Sequence, residues 1–74
     1  MSSRLPVVSG LRHIKVLEQV GWHILRQHGS HVRLRHYEKR LFLTVPLHRE
    51  IKRGTLSGIL ADAGMDTQEL RELL

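Results

Sequence analysis

Gly21 divides the first half of the chain into two hydrophobic rhythms, and a chain that changes rhythm there must change structure there. Before it, Leu11, Ile14, Leu17 and Val20 recur every three or four residues, with Val16 widening the stripe. That spacing lines one face of a helix. Ser9 offers an N-cap oxygen, and Gly21 can take the left-handed conformation that stops a helix. A helix is therefore predicted over 10–20. After Gly21, Trp22 and Ile24 alternate with His23, as in a half-buried strand over 22–27. Gly29-Ser30 is turn chemistry. Val32, Leu34 and His36 then alternate with His31, Arg33, Arg35 and Tyr37, which puts His31 on one strand face with two arginines and His36 on the other. Glu38-Lys39-Arg40 makes a polar hairpin tip. A third strand over 41–45 turns Leu41, Leu43 and Val45 inward and Phe42 and Thr44 outward, and Pro46 ends it because proline cannot donate to a ladder.

The second half reads as helices. Residues 47–53 form a basic connection with room for a helical turn. Thr55 is the expected N-cap of a helix carrying Leu56, Ile59, Leu60 and Ala63, and Gly64 ends it. Asp66-Thr67-Gln68-Glu69 resembles a capping box with Asp in the cap position, opening a short helix with Leu70, Leu73 and Leu74. Residues 1–8 read as a loosely ordered leader. The fold class is α+β: a helix, a three-stranded antiparallel sheet, a helix and a short C-terminal helix, in one domain over 1–74. Helices on one sheet face would bury Leu11, Ile14, Leu17, Ile24, Val32, Leu34, Leu43, Leu56, Ile59 and Leu60, with Trp22 also in the core. The other face stays open and presents His31, Arg33, Arg35 and Phe42.

A chain of 74 residues buries only about 60% of the surface its unfolded form exposes. It has no room for a deep cofactor pocket, so any chemistry belongs on the surface, where a partner protein can cover it. With no cysteine, disulfides and thiolate metal sites are excluded, and a reducing compartment, the cytoplasm, is expected. No apolar run reaches the roughly 20 residues of a membrane span, and no segment has the form of a signal peptide. The net charge of +5 is unevenly placed. Residues 22–53 carry eight Lys/Arg against Glu38 and Glu50, a net +6, together with five of the six histidines, while the flanks are slightly acidic. Concentrated positive charge on a neutral scaffold is the footprint of a polyanion binder.

The most basic stretch holds Arg26-Gln27-His28-Gly29-Ser30-His31. Such a turn can hold an imidazole beside backbone N–H groups and a serine hydroxyl, with arginines close by. Those are the parts needed to hold a phosphate and move a proton next to it. Lys52 and Arg53 precede a helix N-terminus, a place that suits phosphate. Phe42 on the open face suits either a stacked base or a covering protein. No metal site is expected: no His-x-x-x-His pair lies on one predicted helix with a carboxylate, and there are no thiolates. No helix-turn-helix spacing points to a DNA-binding repressor.

Several segments together resemble the HicA-type toxins, the messenger-RNA-cleaving half of toxin–antitoxin pairs. They are Leu17-Glu18-Gln19-Val20-Gly21-Trp22, Arg26-Gln27-His28-Gly29-Ser30-His31, Thr44-Val45-Pro46-Leu47-His48, Glu50-Ile51-Lys52-Arg53-Gly54-Thr55-Leu56, Ile59-Leu60 and Ala63-Gly64. The resemblance runs from about Leu5 to Leu74. It implies a fold similar to the double-stranded-RNA-binding domain, ribosome-independent RNA cleavage with His31 as the functional histidine, and a HicB-type antitoxin that covers the active site. Leu34 to Arg40 is less typical of the family.

RNA carries its own nucleophile, the 2′-hydroxyl, so a small enzyme of this kind needs neither a metal nor a small-molecule cofactor. It needs an acid or base that works near neutral pH, and positive groups for the charge on the reacting phosphate. His31 takes the first role. Ser30 and the N–H groups around Gly29 would position the phosphate, and Arg26, Arg33 and Arg35 would hold the RNA backbone. His28, His36 and His48 are candidates for a second acid or base, with Phe42 and Lys52 as secondary RNA contacts. A non-catalytic RNA-binding module on the same fold is the competing reading. Composition, charge and periodicity alone do not separate the two.

Overall fold

The computed structural model describes residues 4–74. The order is α1 (Gly10–Gln19), β1 (Trp22–His28), β2 (His31–His36), β3 (Leu41–Pro46), α2 (Arg53–Ala63) and α3 (Thr67–Leu73). The strands form one antiparallel sheet in the order β1-β2-β3. α1 packs on β1 and β3, α2 on β3, and α3 on α1, so the helices lie together on one face of the sheet. The arrangement is α+β, with the helix–three strands–helix layering of a double-stranded-RNA-binding domain. Among the described residues no helix is long and apolar enough to cross a membrane.

The expected caps hold α1 and α3 in place. Ser9 Oγ accepts from Arg12 N at 3.1 Å, and Asp66 Oδ1 accepts from Glu69 N at 2.7 Å. Gly64 closes α2 in the left-handed conformation, and Gly21 follows α1 with φ +99°. Thr55, however, is not a cap. α2 starts three residues earlier, where the Lys52 carbonyl takes the Leu56 N–H at 2.8 Å with no side-chain cap. Residues 47–52 bend without a helical turn. Of the segment read as a loose leader, residues 4–8 are described and Met1 to Ser3 lie outside the described residues. Val8 is buried, and its carbonyl accepts from Ile51 N at 2.9 Å.

Between helices and sheet lie Ile14, Val16, Leu17, Trp22, Val32, Leu34, Leu43, Val45, Ile51, Leu56, Ile59, Leu60, Ala63, Met65 and Leu70. Two expected core residues are outside it. Leu11 is 61% exposed, because the buried arc of α1 is carried by His13, Ile14, Val16 and Leu17, so Leu11 falls past its edge. Ile24 is 50% exposed although it pairs with the buried Leu34, because β1 is an edge strand and only its first residue is covered. Leu41, read as inward, is also exposed, at the open end of β3. His13 is fully buried with neither ring nitrogen hydrogen-bonded, and burial lowers its pKa from 6.5 to about 4.

Candidate functional site

The face of the sheet away from the helices carries the charge. In β2, Val32, Leu34 and His36 are buried while His31 and Arg33 are exposed and Arg35 is half-buried, as strict alternation requires. β3 adds Phe42 opposite Arg35 and Thr44 opposite Arg33. β1 adds His23 opposite Arg35, Arg26 opposite Arg33 and His28 opposite His31.

The last two of these pairs exist because of a bulge. Counting in twos from the buried Trp22 puts Ile24, Arg26 and His28 all on the core side. The register shifts between Ile24 and Arg26, leaving Leu25 without a partner. One unpaired residue reverses the parity of everything after it. Ile24 stays on the Leu34 side, and Arg26 and His28 come over to the side of Arg33 and His31.

The turn between them is as short as a hairpin allows. Gly29 has φ +58°, and Ser30 stays at negative φ, the pattern of a two-residue type II′ connection with glycine first. The Gln27 Nε2 donates to the Gly29 carbonyl at 2.9 Å, and Leu47 N donates to the Ser30 carbonyl at 2.6 Å. A β carbon on Gly29 would meet nothing within 4 Å, so conformation rather than space calls for glycine here.

Arg26, His28, His31, Arg33 and Thr44 line one shallow cavity of about 150 Å³. Arg33 reaches Thr44 Oγ1 at 3.5 Å. Beside the cavity the cations stack on aromatic rings: Arg33 lies 5.0 Å from the centre of Phe42, and Arg35 lies 4.9 Å from Phe42 and 4.8 Å from Tyr37. Tyr37 in turn meets His23 edge-on at 5.5 Å. Arg33 and Arg35 thus lie over ring faces, while the Nε of Arg35 is buried without a hydrogen-bond partner.

The three histidines considered as partners for His31 separate clearly. His28 faces it across the turn. His36 is buried, with Nε2 at 3.0 Å from the Val20 carbonyl and Nδ1 accepting from Lys39 N at 3.2 Å. His48 is exposed in the loop after β3, beside Ser9, Leu11 and Arg49, and does not line the cavity. Lys52, at the start of α2, is not among the cavity residues either. Among the described residues no group of three or more His, Asp or Glu is arranged to hold a metal ion. Sequence reasoning passed over Thr44 as a site residue and left Tyr37 and His23 outside the site, although outward parity and the neighbouring arginines are visible in the sequence.

Comparison with protein-family models gives a match over residues 12–65 to the model described as HicA toxin of bacterial toxin-antitoxin. That span runs from the first turn of α1 past the end of α2, and it contains the whole sheet. Searches of curated proteins and of solved structures gave no significant match.

Proposed function

The chain belongs to the HicA toxin family of toxin–antitoxin systems, which implies an antitoxin partner, and from that membership we propose that it is a ribosome-independent endoribonuclease acting on messenger RNA. The observation that carries this reading is the joining of His31 to Arg26 and Arg33 in a single cavity on the open sheet face.

RNA brings its own nucleophile. The 2′-oxygen attacks the adjacent phosphorus while the bond to the 5′-oxygen breaks, leaving a 2′,3′-cyclic phosphate and a 5′-hydroxyl. Base or acid catalysis by His31 moves a proton in that step. Arg26 and Arg33 offset the charge that grows on the phosphate oxygens, and Arg35 holds the neighbouring backbone. Ser30 and the Gly29 turn position the scissile phosphate. No step requires a metal. A HicB-type antitoxin would inhibit by covering this face, where Phe42, 45% exposed, offers an apolar anchor among cations.

The stacked arginines and aromatics also suit RNA binding without cleavage, the function of the competing reading. One experiment separates the two: RNA cleavage in EDTA by the parent and by His31→Ala, with RNA affinity measured for both. The expected result is that the parent cuts, and that His31→Ala binds but does not cut. If both bind and neither cuts, the chain is a binding module.

A further inference from the structure

We propose that His28 is the second proton-transfer group of the site and works as a pair with His31. The inference rests on the ribonuclease reading and names the group that reading leaves open.

His28 and His31 are register partners, and they close the β1–β2 hairpin on either side of a two-residue turn. Directly opposed residues of an antiparallel pair hold their Cβ atoms ~5 Å apart on one face. Both side chains are exposed and both line the same cavity. The charged groups facing them there are Arg26 from β1 and Arg33 from β2, and β3 contributes the uncharged Thr44. A phosphate drawn in by the two guanidinium groups would therefore have two imidazoles beside it, one from each strand. Two features of the β1–β2 hairpin make this arrangement: the Leu25 bulge brings His28 to the outer face, and the Gly29 turn sets it opposite His31.

Transesterification of RNA moves two protons. One imidazole accepts the proton of the 2′-hydroxyl as the 2′-oxygen bonds to phosphorus. The other, protonated, gives a proton to the 5′-oxygen as its bond to phosphorus breaks. Nothing is oxidised or reduced, and the pair ends with its protons exchanged. Hydrolysis of the cyclic phosphate with the roles reversed, or exchange with water, restores it. A base and an acid on separate residues give a bell-shaped pH dependence with one limb from each.

The test compares the parent with His28→Asn, His28→Gln and His31→Ala, measuring RNA cleavage from pH 5 to 9 and RNA affinity, with the fold checked by circular dichroism. The parent is expected to give a bell. His28→Asn and His28→Gln are expected to cut 10²–10⁴-fold more slowly, to lose one limb of the bell and to bind RNA as the parent does. A near-parental rate with both limbs intact overturns the proposal and leaves the ribonuclease reading standing. So does a loss equal at every pH or matched by weaker binding, because His28 then only contacts RNA. If the parent itself does not cut, the ribonuclease reading fails, and the pair has no reaction to serve.

Discussion

His36 of β2 caps the first helix from the covered face of the sheet: its Nε2–H donates to the carbonyl of Val20, the C-cap residue of α1, at 3.0 Å. The assignment of the hydrogen follows from the other nitrogen, since Nδ1 accepts from the backbone N–H of Lys39. The ring also meets Trp22 edge-on at 5.4 Å. Both nitrogens are used, so this histidine is structural. A β carbon on Gly21 would lie 2.7 Å from its Nε2, at a φ of +99°. Gly21→Ala is therefore expected to destabilise by about 2 kcal/mol, from backbone strain and a displaced ring. His36→Leu, which frees the space but leaves the Val20 carbonyl unpaired, should destabilise too while leaving RNA cleavage per folded molecule intact. Urea titrations with activity assays check both. A loss of cleavage in fully folded His36→Leu would return His36 to the site.

His13 makes stability depend on pH. Its pKa is about 4 in the folded chain and 6.5 when exposed. Above 6.5 it is neutral in both states and adds no pH dependence. Between 6.5 and about 4 the unfolded chain takes up a proton that the folded chain refuses, so stability falls as pH falls. The full loss is of order 3 kcal/mol. His13→Leu should flatten that part of the curve. Thermal melts of the two proteins at pH 7, 6, 5 and 4 measure it, and parallel curves would mean that His13 finds a proton acceptor.

On the ribonuclease reading, Arg33, which lines the cavity with His31, contacts phosphate directly. Arg33→Ala should weaken RNA binding to a similar degree on every sequence, and reduce the slope of log affinity against log salt by about 0.7. Filter binding at several salt concentrations reads the slope. A sequence-selective loss would assign Arg33 to a base instead.

The bulge gives a sharper prediction. Leu25 is the unpaired residue, so its deletion leaves Ile24 opposite Leu34 and Arg26 opposite Arg33 in a regular ladder. That variant should keep RNA cleavage. Deletion of Gln27, only two positions on, sets Arg26 opposite Val32 on the covered face and should weaken RNA binding. Equal damage by both deletions would show that the bulge itself shapes the site.

Local signals carried the fold because their physics is local. Ser9, Asp66 and Gly64 end or start helices through bonds to atoms within a few residues, and alternation in β2 holds because both its neighbours are paired. What depends on distant packing was not legible. No glycine or proline marks the Leu25 bulge, so the strand pattern gave no face for Arg26 and His28, and both were picked out only by their company around the turn. Ile24 and Leu11 look like core from spacing, but burial depends on how far the helix layer reaches. Lys52 displaced Thr55 at the start of α2 because the carbonyl that accepts the first helical bond belongs to whichever residue the preceding loop sets in place. His13 lies on the buried arc of α1, in a place that an apolar residue would usually hold.

The bond from Leu47 N to the Ser30 carbonyl fastens the tip of the first hairpin to the exit of the third strand. The turn bearing the two histidines is thus preorganised by chain from the far side of the sheet. Opening the turn breaks that bond to the end of β3. On the ribonuclease reading, RNA would meet a turn whose backbone was already ordered when the chain folded, so little of its binding energy would go into ordering it.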